Sequence, residues 1–229
     1  MKSETVLSEK TALLGGSFDP VHNGHMEAAV QIRKKLGVGT VFFVPNYQNP
    51  LKDESHAPPG ARLEMLRLAT EGVEGVKVSD VEMKKKSSSY TVETLRLWKE
   101  HLGEEHESWF IMGWEVFKEI TKWKDFRKIF EVSNIVIIPV RVPGNPLSDR
   151  PPPEPPLEIR ENFQYGGRQG EYIHKSGSKL YFEEIDTPDI SSTQVRNLIK
   201  EGGDFESLVP NTVADFIKRE KLYLEEPRK

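Results

Sequence analysis

Cysteine is absent from this chain of 229 residues, and so is any long apolar segment. Without cysteine there can be no disulfide, no thiolate metal site and no cysteine nucleophile, and nothing indicates an oxidising compartment. The longest apolar run, 135–140, is interrupted by Pro139 and is far too short to span a bilayer. Residues 1–10 are polar and mixed in charge, unlike a signal peptide. These absences predict a soluble, cytoplasmic protein.

An excess of positive charge is also lacking. The chain carries 32 Lys and Arg against 36 Asp and Glu, and its formal net charge of −4 includes no long basic block. Binding to duplex nucleic acid normally needs clustered Lys and Arg. We therefore expect no nucleic-acid partner and no membrane partner. The length is sufficient to bury a substantial core.

Strand, helix and strand follow one another near the amino terminus. The apolar run 11–14 stops at a glycine pair, as a buried strand does. Residues 24–36 have apolar side chains at helical spacing, and Gly37 stands where a helix C-cap belongs. A second apolar run, 40–44, ends at Pro45. This order predicts a βαβ unit, whose right-handed crossover makes its two strands parallel.

The alternation continues along the chain. It predicts further helices and strands, with helices over 62–70, 90–102, 192–200 and 211–220 and strands over 108–112 and 134–139. Such a pattern indicates a Rossmann-like, doubly wound α/β fold, with a mostly parallel sheet and helices on both faces. We expect a single domain over 1–229.

A proline-rich segment breaks this alternation. Residues 141–157 contain seven prolines, and 151–153 must be extended. The stretches 171–174 and 179–182 flank Ser176-Gly177 and predict a β-hairpin. We interpret residues from about 143 to 179 as an insertion in the domain.

The glycine pair Gly15-Gly16 follows the first predicted strand. Ligands of open parallel sheets bind beyond the carboxyl ends of the strands. Glycine allows the backbone to approach a ligand closely, and the following helix offers unpaired N–H groups and a positive dipole end. The pattern predicts a phosphate site.

His22 and His25 are three residues apart at the start of the following helix, so both can project to one side. Two imidazoles there can donate hydrogen bonds to a phosphoryl-transfer transition state without a covalent intermediate. Two other interpretations exist. Each histidine could be an ordinary surface or capping residue, or the pair could bind a metal, although no third ligand lies nearby in the sequence.

A second group, Ile190 to Arg196, opens the helix predicted at 192. One hydroxyl can cap this helix, while Ser192, Thr193 and free N–H groups accept an anion. Arg196 follows one turn later on the same face, and its fork matches phosphate oxygens. The alternative is a plain N-cap with a solvated arginine.

Together, the stretches GGSFDPVHNGH (15–25) and ISSTQVR (190–196) resemble the paired signatures of the HxGH nucleotidyltransferase superfamily. Within it, the chain resembles the bacterial nicotinate-nucleotide adenylyltransferases. The resemblance covers essentially the whole chain apart from roughly 143–179. Further similar stretches are 44–52, 89–95, 113–123 and 209–223.

The resemblance implies transfer of the adenylyl group of ATP to nicotinate mononucleotide, with release of pyrophosphate. It implies three catalytic residues, His22, His25 and Arg196. The ATP-binding residues it implies are Gly15, Gly16, Ser17, Phe18, His25, Gly113, Ile190, Ser192, Thr193 and Arg196. Magnesium is expected to arrive mainly with ATP rather than in a protein metal site.

For the acceptor, the resemblance implies contacts from Lys52, Tyr90, Thr91, Glu115, Trp123 and Arg141. Trp123 also has a physical rationale, because its electron-rich ring suits stacking on an electron-poor pyridine, although core packing is the alternative. The chain departs from the family pattern at Leu51, Trp114, Glu115 and Lys124. These departures leave open the preference between nicotinate and nicotinamide.

Two further hypotheses remain. One is another transferase of the superfamily, such as a pantetheine-phosphate adenylyltransferase or a cytidylyltransferase. The other is a nucleotide sensor without catalysis, against which the joint presence of His22, His25 and Arg196 argues. Homo-oligomerisation is left open by the sequence.

Overall fold

The computed structural model describes residues 10–48, 55–88, 90–103, 106–138 and 154–224. Eight strands lie within these ranges: β1 (Lys10–Gly16), β2 (Thr40–Pro45), β3 (Val76–Val78), β4 (Glu107–Gly113), β5 (Asn134–Ile138), β6 (Phe163–Tyr165), β7 (Glu171–His174) and β8 (Lys179–Phe182). The helices are α1 (Asn23–Leu36), α2 (Pro59–Thr70), α3 (Val81–Lys85), α4 (Thr91–Leu102), α5 (Trp114–Phe117), α6 (Phe126–Val132), α7 (Leu157–Arg160), α8 (Ser192–Glu201) and α9 (Asn211–Arg219). No helix of the described ranges is long and apolar enough to cross a membrane.

The strands form one sheet in the order β3-β2-β1-β4-β5-β8-β7-β6. β4 pairs in parallel with β1, placing Leu13 opposite Phe110, and β5 pairs in parallel with both β4 and β8. β7 pairs antiparallel with both β6 and β8. The central strands are buried on both faces, which explains why they are continuous apolar runs in the sequence.

The strand order extends from β1 in both directions. β2 lies on one side of β1 and β4 on the other. Because crossovers between parallel strands are right-handed, a chain that winds outward both ways places its helices on opposite faces. The predicted doubly wound α/β fold, with a mostly parallel sheet, is confirmed.

The chain divides into two compact units. Within the described residues, unit 1 comprises 10–14, 32–41 and 90–185, and unit 2 comprises 15–31, 42–88 and 186–224. Unit 1 has its core around the buried strand residues Leu13, Ile111 and Ile135. Unit 2 includes the packing of α9 against α2, where the Thr212 hydroxyl donates to the Leu68 carbonyl at 3.1 Å. A single domain stays a prediction.

Two helix ends match their sequence signals. Gly37 has φ +62° and closes α1, with the N–H of Val38 bonded to the Arg33 carbonyl. Glycine is favoured there because a side chain is strained in the left-handed region. α8 begins with a capping box, in which the Ser191 hydroxyl accepts from the Gln194 N–H and the Gln194 side chain accepts from Ser191.

Other local predictions need correction or extension. The lysine run 84–86 by itself indicates a solvated loop, but Lys84 and Lys85 form the last turn of α3. The predicted hairpin is confirmed as β7 and β8, and β6 adds a further antiparallel strand beside β7. The predicted extended triplet 151–153 lies outside the described residues.

Candidate active site

The loop between β1 and α1 begins with a close backbone turn in unit 2. A Cβ at Gly16 would lie only 3.0 Å from the Phe18 ring, so any larger residue would force that ring to shift. Phe18 has φ +50°, a strained conformation for a residue with a Cβ. Its buried ring packs edge-on against both Phe43 and His25, with centroid distances of 5.1 Å.

His22 and His25 lie together at the amino end of α1, as their spacing predicted. The ring centroids are 3.7 Å apart, and the ring planes differ by 26°. The main-chain N–H of His22 donates to Nδ1 of His25 at 3.3 Å. Since Nδ1 of His25 accepts a hydrogen bond, the proton of the neutral ring is on Nε2. Nε2 of His25 is therefore a hydrogen-bond donor.

The two rings are neutral near pH 7. Burial lowers the pKa of His22 from 6.5 to about 4. The pKa of His25 is lowered well below 6.5, first by burial and then by the neighbouring His22. Loss of hydration disfavours a charged imidazole, and two stacked rings could not both be protonated without repulsion. The pair thus provides neutral donors rather than fixed cations.

The absence of a side chain at Gly24 leaves space for the ring of His22. A Cβ at Gly24 would lie 3.1 Å from Nδ1 of His22 and 3.2 Å from the Pro188 carbonyl oxygen. Nδ1 of His22 is buried and has no hydrogen-bond partner among the described residues. Buried polar atoms without partners are rare, and they are concentrated where a ligand or a reaction uses them.

The second motif contacts the first directly within unit 2. The Ser192 hydroxyl donates to the Pro20 carbonyl at 2.9 Å. Arg196 donates from Nη1 to the Asp19 carbonyl at 2.7 Å and from Nη2 to the Thr193 hydroxyl at 3.2 Å. The predicted common face of Thr193 and Arg196 is therefore observed. Ile190, partly exposed, precedes the capping box.

The carboxylate of Asp19 is buried beneath this loop. It accepts from the main-chain N–H groups of His56 and Ala57, at 2.7 and 3.1 Å, and from the Tyr223 hydroxyl at 2.8 Å. Three donors compensate the cost of burying one negative charge. Asp19 thereby joins three parts of unit 2 that are distant in the sequence.

Arg62 is completely buried and fixes the same loop from α2. Its guanidinium donates to the carbonyls of Ser17, Asn46 and Tyr47, each at 2.8 Å. Asn46 in turn donates to the Ser17 hydroxyl at 3.1 Å. Burial lowers the pKa of Arg62, and the nearby Asp19 opposes this. Arg62 is thus a buried structural cation that binds the loop 17–20 through the Ser17 carbonyl.

The predicted acceptor residues that the structure describes lie in unit 1. Tyr90 and Thr91 open α4, Glu115 lies on α5, and Trp123 is half-buried with its ring 6.4 Å from that of Phe110. Gly113, expected to contact ATP, ends β4. Glu115 is exposed and pairs with Lys118 at 2.5 Å.

Besides Glu115, two further departures from the family pattern have defined contacts. The ammonium group of Lys124 lies 4.4 Å from the centroid of the Tyr90 ring and 2.8 Å from a carboxylate oxygen of Glu93. The Trp114 ring packs 5.8 Å from that of Phe182. Lys52, Leu51 and Arg141 lie outside the described residues.

The sequence interpretation missed three residues that hold the loop in place: Asp19, Arg62 and Tyr223. Arg62 had a readable signal, since it shares one face of α2 with Met65, Leu66 and Ala69, all buried. The leucines of this helix are a poorer guide to its buried face, since Leu66 is fully buried but Leu63 and Leu68 are only partly buried. Asp19 stood in the quoted motif without a role. Tyr223 ends the stretch 209–223 that is similar to the family, but nothing there indicated its partner, which is 204 residues away.

A magnesium site within the described residues would need a group of side chains that could bind the ion. Among the described ranges, no group of three or more His, Asp or Glu side chains could hold a metal ion.

A sequence profile of the cytidylyltransferase-like family matches residues 13–198. The chain belongs to this family. Its curated relatives include a probable nicotinate-nucleotide adenylyltransferase of Shewanella baltica, 30% identical over 94% of this chain and 99% of the relative. The protein of the same name from Geobacter metallireducens is 33% identical over 93% of this chain and 98% of the relative.

Solved structures show the same fold. Nicotinic acid mononucleotide adenylyltransferase of Plasmodium falciparum, complexed with NaAD, superposes with a TM-score of 0.69 at 18% identity, over 94% of this chain and 98% of that one. A putative nicotinate-nucleotide adenylyltransferase of Vibrio parahaemolyticus has a TM-score of 0.62 at 19% identity, over 95% and 97% of the two chains.

Proposed function

We propose that this protein transfers the adenylyl group of ATP to nicotinate mononucleotide, forming nicotinate adenine dinucleotide and pyrophosphate, a step of NAD biosynthesis. The observation that carries the proposal is the stacked pair His22 and His25, joined through the loop 17–20 to Arg196. The names of the near full-length relatives support the same activity and its small-molecule nucleotide substrates.

The chemistry is an in-line displacement. An oxygen of the 5′-phosphate of the mononucleotide forms a bond to the α-phosphorus of ATP while the bond from that phosphorus to the pyrophosphate oxygen breaks. Negative charge grows on the leaving pyrophosphate and on the non-bridging oxygens. Catalysis therefore depends on positioning and on donors that already face this charge.

The residues of unit 2 have the properties that this step needs. His25 can donate from Nε2 while its Nδ1 is held by the His22 N–H. Of the five N–H groups of Arg196, two are used within the described part of the chain, by Asp19 and Thr193. The rest of its fork can hold β- and γ-phosphate oxygens. The Gly16 to Phe18 backbone would lie against the α-phosphate.

The remaining assignments belong to the same proposal. Magnesium bound to ATP would offset part of the triphosphate charge. Thr91 and Trp123 would contact the pyridine ring, with Lys52, Tyr90, Glu115 and Arg141 as further acceptor contacts. Because ATP is a cytoplasmic substrate, we place the reaction in the cytoplasm.

The test is pyrophosphate release by the purified protein with magnesium and four substrate pairs. These are ATP with nicotinate mononucleotide, ATP with nicotinamide mononucleotide, ATP with phosphopantetheine, and CTP with nicotinate mononucleotide. We expect the first pair to react fastest and to yield a dinucleotide of the correct mass. No pyrophosphate from ATP with either mononucleotide contradicts the proposal. The His25→Ala protein, purified identically, controls for contaminating activity.

A further inference from the structure

Tyr223 is the last described aromatic residue, and it lies four positions after the end of α9. Its ring is 6% exposed, and its φ of +65° is unusual for a residue with a side chain. Just before it, the N–H of Leu222 bonds to the Ile217 carbonyl at 3.1 Å, which folds the chain back over the end of α9. The turn thus directs a bulky ring inward at the expense of backbone strain.

The hydroxyl of Tyr223 has a single described acceptor, Oδ1 of Asp19, at 2.8 Å. Burial raises the pKa of Tyr223, and the charge of Asp19 raises it further. The phenol therefore stays protonated and acts only as a donor in this bond. A hydrogen bond from a neutral hydroxyl to a buried carboxylate is stronger than one between two neutral groups.

Asp19 transmits this contact to the triphosphate motif. Its carboxylate is held by Tyr223 from one direction and by the N–H groups of His56 and Ala57 from another. Its own carbonyl oxygen accepts from Nη1 of Arg196 at 2.7 Å. Displacement of the Asp19 side chain would therefore move the carbonyl on which the Arg196 guanidinium rests.

We propose that Tyr223 is a positioning residue for the triphosphate site, because its hydroxyl fixes Asp19 and thereby the direction of the Arg196 fork. This inference rests on the proposed function, since it assigns Arg196 to the phosphates of ATP. Tyr223 itself contacts no substrate. The effect should appear in the use of ATP and not in the binding of the mononucleotide.

The test is Tyr223→Phe, which removes one oxygen atom and keeps the ring. We expect kcat/KM for ATP to fall by about tenfold or more, because a charge-assisted hydrogen bond is lost. The KM for the mononucleotide should change by less than twofold. Assays are run well below the melting temperature of the variant. If that variant melts too low, Asp19→Asn, which weakens the same cluster, takes its place with the same expectation.

Two matched controls separate positioning from general stability. Val213→Ala creates a cavity at a fully buried position of α9 and removes no hydrogen-bonding group. Tyr165→Phe removes a hydroxyl from an exposed tyrosine of unit 1. Neither should alter kcat/KM for ATP by more than about twofold.

An unchanged ATP dependence in the Tyr223 variant overturns the inference, as does an equal loss in the Val213 variant. Failure of the proposed function is distinct, because the wild-type protein would then release no pyrophosphate from ATP and either mononucleotide.

Discussion

The loop 17–20 of unit 2, which we propose to bind phosphate, and the candidate acceptor residues of unit 1 are built differently. Residues 17–20 are held by hydrogen bonds from partners far away in the sequence, including Arg62, Ser192, Arg196 and Tyr223. Glu115, by contrast, is exposed and pairs with a neighbour on the following turn, and Trp123 is half-buried with its indole ring beside Phe110.

This difference fits the role that we propose for each region. Stabilising charge in a transition state requires donors that are already oriented, so the surrounding groups must be fixed before the substrate arrives. Recognition of a flat acceptor ring depends more on surface and shape, and half-exposed side chains can supply both. A loop held by many hydrogen bonds in unit 2 and more exposed side chains in unit 1 are therefore consistent with one enzyme. Four substitutions test this contrast.

The largest effect is expected at Arg62. Arg62→Leu leaves the carbonyls of Ser17, Asn46 and Tyr47 without their donor, and we expect a loss of about 3–5 kcal/mol in the free energy of unfolding. Thermal and urea denaturation measure this loss. Arg67→Leu on the same helix is the control, because Arg67 is exposed and pairs with Glu64 at 3.6 Å. Equal losses in the two variants would mean that the loop does not depend on its buried cation.

The next effect concerns catalysis itself. His25→Ala removes a transition-state donor, and kcat should fall by about 10²–10³-fold with little change in melting temperature. Steady-state kinetics with pyrophosphate detection measures it. His101→Ala, an exposed histidine of α4, should leave the rate unchanged. An unaltered rate in the His25 variant would contradict the role of His25 as a transition-state donor.

A third prediction concerns pH. His22 has a pKa of about 4 in the folded protein and 6.5 as the ordinary value. Between these values the unfolded chain binds the proton more readily, so stability falls as pH falls from about 6.5 to about 4. The share of His22 is about 3.5 kcal/mol at most, since the pKa is lowered from 6.5 to about 4 and one pKa unit corresponds to about 1.4 kcal/mol.

Denaturation midpoints at several pH values test this. In His22→Asn the loss across that window should shrink, whereas His101→Asn, at an exposed position, should lose stability as the wild type does. A His22 variant with the same pH dependence as the wild type contradicts the assigned pKa.

The smallest effect is expected on the acceptor side. Trp123→Ala should raise the KM for nicotinate mononucleotide by about tenfold, because a stacking surface is lost, and should leave the KM for ATP within about twofold. Trp98→Ala is the control, since the Trp98 indole N–H donates to the Thr11 hydroxyl at 3.3 Å. That change should lower the melting temperature and affect neither KM. A rise in the KM for ATP with Trp123→Ala would contradict the assignment of Trp123 to the acceptor site.

Long periodic segments could be predicted closely. Helix 24–36 was expected and Asn23–Leu36 is observed, and strand 108–112 was expected where Glu107–Gly113 is observed. The strand Val76–Val78 was missed, because three residues are too few for a periodic signal and their structure depends on pairing with a neighbour. The five-residue helix α3 was missed for a similar reason, since the lysine run suggested a solvated loop.

The sequence by itself determined the βαβ start, the glycine turn and the histidine pair, because these are local and their spacing follows from helix and strand geometry. It also indicated the two candidate phosphate-binding stretches, 15–25 and 190–196. Only the tertiary structure decided that Arg62 and Tyr223 hold that motif, and that Arg196 rests on the Asp19 carbonyl. Those contacts join residues up to 204 positions apart, which no local periodicity encodes. They form because a buried carboxylate and buried carbonyl groups must find donors wherever the folded chain brings them.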